Sequence, residues 1–472
     1  MKDLFSKLSN LWTGAFMKLY QLEYYLRQRW LPKLLLLSLL LTGPLGGLGI
    51  AAAQAEGDTP SVPQDKLQPL ISSDSPSYRT PRAGEGFRTE LFGREITVQP
   101  SDRRSVTAID FGVQANLPGA DNRGIIPFGA LYLWRHPDDQ SLLRADIVGL
   151  YNDIFWAKSS SNMGHFEWVL TFNNYTLPFS QYELVDGKAI KSEELIWGYV
   201  RPGFGFGYRQ KVSPGHQDNM LAIDLTIEPG YLFFGKGSNA ASNFILPKDT
   251  FELREHLQVR MDAFDRNLLS LPHNGFAAGA DLINANRTNW KNWGLNGSET
   301  DGREYLSASG YILGAGAVPG IDSDRHRLLG SLHGGIGSNI DRFSATRIGG
   351  GALTMGEEYG STWRPVLPGS IIQEYFPKHY VVAVGEYRWE ALFFTYLSFD
   401  ASLGWLDRLR QTGPNITDTT SKNETFASLG GRLTTGFFFD TRMQLSYNYN
   451  FSEIRDGKHG GHEILLHFSR DI

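Results

Sequence analysis

Ser331, His333 and Asp341 lie close together in the chain and carry the groups of a nucleophilic hydrolase: a hydroxyl, an imidazole to take its proton, and a carboxylate to orient the imidazole. No Gly-x-Ser-x-Gly elbow surrounds Ser331, and spacing alone aligns no base with it. A hydrolase is therefore the minor reading, and a non-enzymatic role is expected. His462-Glu463 and His333 have no partner at the i,i+4 spacing that a helical zinc motif uses. Gly203-Phe-Gly-Phe-Gly207 and Gly349–Gly351 have the glycines of a phosphate loop, but lack the downstream Lys-Ser/Thr. With no cysteine in the chain, thiolate metal sites and disulfides are excluded. No cofactor and no metal are expected.

These residues sit in a chain whose dominant signal is alternation. Met443, Leu445, Tyr447, Tyr449 and Phe451 alternate with Gln444, Ser446, Asn448 and Asn450. The same period of two runs through Ile223, Leu225 and Ile227, through Leu257, Val259 and Met261, through Phe166, Trp168 and Leu170, and through Ile109, Phe111 and Val113. The alternating segments run about nine to eleven residues, the length that crosses a bilayer with tilt. No helical crossovers separate them, so the sheet is expected to be an antiparallel meander. Residues 104–472, at roughly 20–25 per strand and connection, predict about 16 strands closed into an all-β transmembrane barrel. The polar face would line the lumen and the apolar face would meet lipid. Non-alternating stretches at about 236–252, 286–302 and 349–378 are expected to form long surface loops or a plug.

Residues 1–55 read as a signal peptide with a long n-region. Lys33 precedes an apolar run, Leu34–Leu41, then Gly43-Pro44, then a small-x-small cleavage site at Ala53-Gln54-Ala55. Residues 56–100, rich in Pro, Ser, Asp and Gly, are expected to be a disordered periplasmic linker before a barrel at 101–472. The net charge is -5, but residues 1–55 are basic, so the remainder is strongly acidic. An acidic chain lacks the basic footprint that nucleic acid needs.

Three segments, in order, resemble the bacterial surface antigen superfamily, which includes the BamA and TamA outer-membrane insertases. The first is Arg260–Gly275, where Asp265-Arg266-Asn267, Pro272 and Gly275 fit the family's Asp-x-Arg-Asp-Asn…Pro-x-x-Gly strand, turn and strand. The second is Arg342-Phe343 with Gly349-Gly350, similar to an Arg-Phe-x-x-Gly-Gly strand leading into a long loop. The third is Tyr387-Arg388-Trp389-Glu390 followed by Phe399-Asp400, similar to a Glu-Tyr-Arg strand and a Phe-x-Asp strand. The resemblance covers about residues 255–472 and implies an outer-membrane barrel whose long loop folds inward. Residues 56–100 are too short for the soluble polypeptide-transport-associated (POTRA) domains of the insertases, so a form without them is expected. The family's Val/Ile-Arg-Gly-Phe/Tyr loop motif is missing from Trp363–Ser370, where Arg364 is either a substitute that pairs with Asp400 or a solvated loop residue.

Arg260, Asp262, Arg347, Arg388 and Asp400 are the expected lumen-facing polar residues near that loop. The function implied is outer-membrane protein assembly or polypeptide translocation. Its partners would be the bilayer, the assembly machinery and a polypeptide client. The alternative is a passive pore for small solutes.

Overall fold

The computed structural model describes residues 78–472, apart from 92, 101, 121–122, 177–178, 214–217, 352–363, 439–440, 456 and 472. The signal peptide and its cleavage residues Ala53 and Ala55 lie outside the described residues.

The chain opens with a hairpin, β1 (Phe87–Leu91) and β2 (Arg94–Val98), and then enters the barrel. The next strands are β3 (Val106–Leu117), β4 (Ile125–Arg135), β5 (Ser141–Ile147), β6 (Tyr151–Ser159) and β7 (Phe166–Tyr175). A small hairpin, β8 (Leu184–Val185) and β9 (Lys188–Ala189), precedes β10 (Leu195–Lys211) and β11 (Met220–Lys236). β12 (Phe244–Ile245) and β15 (Gly294–Leu295) pair with each other outside the wall, around β13 (Thr250–Arg266) and β14 (Pro272–Arg287). The wall continues with β16 (Glu304–Ala317), β17 (His326–Ser338), β18 (His379–Leu392) and β19 (Thr395–Gln411). β20 (Thr419–Phe438), β21 (Thr441–Arg455) and β22 (Lys458–Asp471) complete it.

Sixteen of these strands form one closed antiparallel ring, in which β22 returns to pair with β3. Closure removes every free edge, which is how a sheet satisfies its backbone where no water can. The count matches the expectation. The lengths do not: they range from 7 residues in β5 to 20 in β20, because several strands extend past a bilayer's thickness into the loops.

Side chains follow the pleat. Trp168, Leu225, Phe399 and Leu403 point outward, about 60 % exposed, as an apolar belt suited to acyl chains. Their neighbours Glu167, Asp224, Asp400 and Ser402 are buried inside. The lumen is filled by matched charge. Glu252 bridges Arg201 (2.6 Å) and Arg287 (2.7 Å), and Arg287 reaches Asp341 at 2.6 Å. His256 lies between Glu228 (3.0 Å) and Asp281 (2.8 Å).

The expected linker is corrected for its described part. Residues 78–89 are strapped under the mouth where the chain enters and leaves the barrel. Tyr78 and Thr80 donate to Glu390, each at 2.5 Å, and Arg82 pairs with Asp265 at 2.6 Å. Phe87 stacks on Phe393 at 5.2 Å. Composition pointed to disorder because the partners that hold this segment are hundreds of residues away in sequence. At the same mouth the turn 267–271 folds inward, so that Arg442 of β21 donates to the Leu269 carbonyl at 3.3 Å.

The long loops crowd the opposite mouth. Their boundaries are 237–249, 288–303 and 339–378, with a fourth at 176–194 that the pattern did not flag. This fourth loop reaches across the opening, where Asp186 meets Arg410 of β19 at 2.6 Å. Arg342-Phe343 belongs to the loop after β17 and is not in a strand, a correction to the second motif. Phe343 is buried among Trp197, Phe234, Trp290 and Trp293. That aromatic packing outweighs strand pairing there.

Candidate functional site

The loop 339–378 turns back into the barrel, and its described parts form a lid inside the lumen. Two short bridges shape it: Ile348 pairs with Tyr375 and Gly349 with Val366. Gly349 and Gly350 permit this because a Cβ at either would run into the opposite strand of the lid, at the Ile371 and Ser370 carbonyls. Ile348, Leu367 and Tyr375 then join one apolar cluster with Phe264, Leu313, Val382, Leu406 and Phe426 of the wall. The lid is thus held partly as a small hydrophobic core inside a polar barrel.

Its polar seat lies on β21 and β22. Glu463 accepts from the Gly351 and Gly369 amides, both at 2.7 Å, and from Asn448 at 3.2 Å. Glu453 accepts from Ser370 at 2.7 Å and from the Tyr375 hydroxyl. Arg455 pairs with Glu453 and forks onto Glu374 of the lid through two bonds of 2.7 Å. Asn450 donates to the Pro368 carbonyl at 3.2 Å, and Gln114 of β3 donates to the Ser370 carbonyl at 2.9 Å. Glu453, Arg455, Glu463 and Asn450 are all at most 1 % exposed. Charge-assisted bonds in so dry a site are strong, and leaving one of their partners unpaired is costly.

The residues singled out in the sequence fall into separate places. Arg388 is buried in the lumen, paired with Glu386 at 2.9 Å and donating to the Pro272 carbonyl at 2.7 Å. Asp400 is buried beside this pair. Arg260 faces inward on β13, and its Nη2 donates to both carboxylate oxygens of Asp281. Asp262 faces inward nearer the chain-entry mouth and holds Arg266 at 2.5 Å. Asn267 caps the following turn by accepting from the Leu269 and Leu271 amides, both at 3.0 Å. Pro272 does not sit in that turn; it starts β14. Gly275 has φ +104°, where a Cβ would collide with the Ala263 carbonyl. Phe399 points to lipid.

Arg347 stacks on Tyr175 at 4.1 Å and Trp197 at 4.8 Å, at the loop mouth. Arg364 donates to the Tyr151 hydroxyl at 2.7 Å, across from β21 and β22. It does not pair with Asp400, so that expectation is corrected. Ser331, His333 and Asp341 do not assemble a triad: Asp341 is taken by Arg287 and Ser344, and His333 stacks on Tyr311 at 5.8 Å.

Sequence reasoning missed the lid seat itself. Glu453 and Arg455 have odd numbers, and the inward residues Gln444, Asn448 and Asn450 have even ones. A register shift between Asn450 and Ile454 moves the inward face from one parity to the other. Strict alternation would therefore send both charges to the lipid face. Two charges two residues apart on a lipid face was the available signal.

No protein-family model and no curated protein sequence matches the chain. Several solved barrels are similar in fold. CdiB from Acinetobacter baumannii is 11% identical, with a TM-score of 0.44 over 83% of this chain and 64% of that one. BamA from Haemophilus ducreyi lacking POTRA domains 1-3 is 12% identical, with a TM-score of 0.44 over 82% of this chain and 75% of that one. OprD of Pseudomonas aeruginosa is 8% identical, with a TM-score of 0.36 over 79% and 98% of the two chains. The chain spans less than two thirds of the A. baumannii CdiB chain. The closed sixteen-strand order itself establishes the fold of this protein as a transmembrane β-barrel.

Proposed function

We propose that this protein is an outer-membrane barrel gated by its own lumenal lid, working in outer-membrane protein assembly or polypeptide translocation. The observation that carries the reading is the lid seated on Glu453, Arg455 and Glu463. A passive pore needs an unbroken water path. Here the lid, the loop 176–194 and the turn 267–271 all cross the lumen or its mouths. A closed barrel that opens on demand suits a cargo that must be admitted without leaking solutes. The acidic chain and polar lumen favour an extended polypeptide over nucleic acid.

The test has two parts. In a planar bilayer the full chain is expected to be nearly closed and to open when the lid is deleted. A large steady conductance from the unaltered chain would replace this reading with the passive pore. In liposomes carrying the protein, a urea-unfolded outer-membrane barrel chain is expected to insert faster than into bare liposomes. Equal rates would remove the assembly role.

A further inference from the structure

Beneath the lid, three acceptor oxygens are buried without a donor. Asp400 is 4 % exposed and Asn448 1 %, yet both carboxylate oxygens of Asp400 and Oδ1 of Asn448 have no hydrogen-bond partner among the described residues. They face the same spot. Gly430 lies between Asp400 and Asn448 in the ladder, and a Cβ there would run into Asn448 Oδ1 and lie 2.7 Å from Asp400 Oδ2. The amide cannot simply be turned round. Asn448 Nδ2 donates to Glu463, and while that carboxylate is ionised it has no proton to offer an oxygen, so Oδ1 faces Asp400. Buried acceptors meeting in this way call for a positive charge or a proton between them.

Arg432 acts on Asp400 by charge, but among the described residues no neighbouring cation donates a hydrogen bond to it. Arg432 gives Nη2 to Glu386 at 2.5 Å and Arg388 also pairs with Glu386. Counted as ionised, the carboxylates of Glu386, Asp400 and Glu463 outnumber these two guanidiniums by one negative charge. Residues 352–363 contain no Lys or Arg that could supply it. One carboxylate plus an amide oxygen, with a single uncompensated charge, suits a monovalent hard cation. Calcium sites collect more charged ligands than this.

We propose that Asp400 and Asn448 bind an alkali-metal cation, sodium or potassium, over Gly430. The site stands whichever cargo the barrel handles. Because Asn448 also holds Glu463, and Glu463 holds the lid amides, the cation would brace the lid from below.

The test is the unfolding midpoint of the detergent-solubilised full chain in sodium, potassium and choline chloride at equal ionic strength. The expected result is a midpoint about 3 °C higher in an alkali salt, saturating with concentration and lost in D400N. Equal midpoints in all three salts, or an undiminished response in D400N, would overturn the proposal. If D400N does not fold, crystals of the unaltered protein soaked in thallium(I) decide. An anomalous peak between Asp400 and Asn448 supports the site. No peak there means that water or a proton on Asp400 fills it, and the proposal fails.

Discussion

Arg455 and Glu374 stand 81 residues apart in sequence and meet through two parallel bonds of 2.7 Å, joining the barrel wall to the lid. Replacing the guanidinium by an isosteric apolar chain, Arg455→Met, leaves Glu374 and Glu453 buried without their cation. Breaking a buried pair in this way costs about 3–5 kcal/mol. The lid is expected to leave its seat while the ring persists, because no ladder bond is lost. Single-channel recording reads this as a rise in open probability. A variant as tightly closed as the parent would show that the seat does not hold the lid.

The same outcome should follow from a change without charge. Gly369 has φ +84°, and a methyl group placed there would lie 2.6 Å from the Asn450 side chain. Gly369→Ala is therefore expected to strain the lid by about 1–3 kcal/mol. Conductance should rise, while heat-modifiable mobility on a gel stays that of a folded barrel. Loss of the folded band would mean that the glycine serves the wall and not the lid.

Two pH effects have opposite chemical origins and the same sign. His136, in the turn after β4, lies 2.7 Å from Asp218, and that hydrogen bond, opposed by burial, raises its pKa above the ordinary histidine value. A raised folded value means the contribution is complete below the unfolded pKa and fades as pH climbs through the folded one. The gap in unfolding midpoint between the parent and His136→Asn should be widest below about pH 6.5 and should close in alkali. A gap that widens with pH would contradict the pairing.

Glu193, in the loop 176–194, is pushed up to about 7 by burial, with Glu183 adding to the effect and Arg342 opposing it. Its protonated form suits the folded loop, so the loop packing is firmest below pH 4.5 and loosens as pH rises past 7. Quenching of the nearby Trp293 by iodide should increase from pH 5 to 8 in the parent and stay flat in Glu193→Gln. An unchanged profile in the variant would assign the effect to another group.

At the other mouth, Glu390 receives both Tyr78 and Thr80. Glu390→Ala is expected to release the strap and expose Arg82 and Arg88 to trypsin, with the barrel left intact. Protection equal to the parent's would mean that the Arg82–Asp265 pair suffices to hold the segment.

Much of this architecture is legible in the amino-acid sequence. Runs such as Ile223, Leu225, Ile227 and Met443, Leu445, Tyr447 declare which side meets lipid, and chain length divided by strand repeat gave the ring size. Local pattern could not give what depends on distant partners. Tyr78 and Glu390 are separated by 312 residues, and nothing near residue 78 announces that contact. Arg364 was a reasonable mate for Asp400 by charge alone, but the lid carries it to Tyr151 on the far wall. The lid seat was hidden by the register shift in β21, which reverses the parity on which the strand reading relies.

The pairing of β3 with β22 has a consequence for biogenesis. Residues 108–117 must find residues 462–471, so the ring shuts only after β22 has emerged. Until then, two long rows of amides and carbonyls stay unmatched at either end of a curling sheet. Joining ends so far apart costs about 5 kcal/mol of chain entropy. A translation product truncated before the last strand would be a ribbon with two open sides, prone to aggregation and an easy substrate for quality-control proteases.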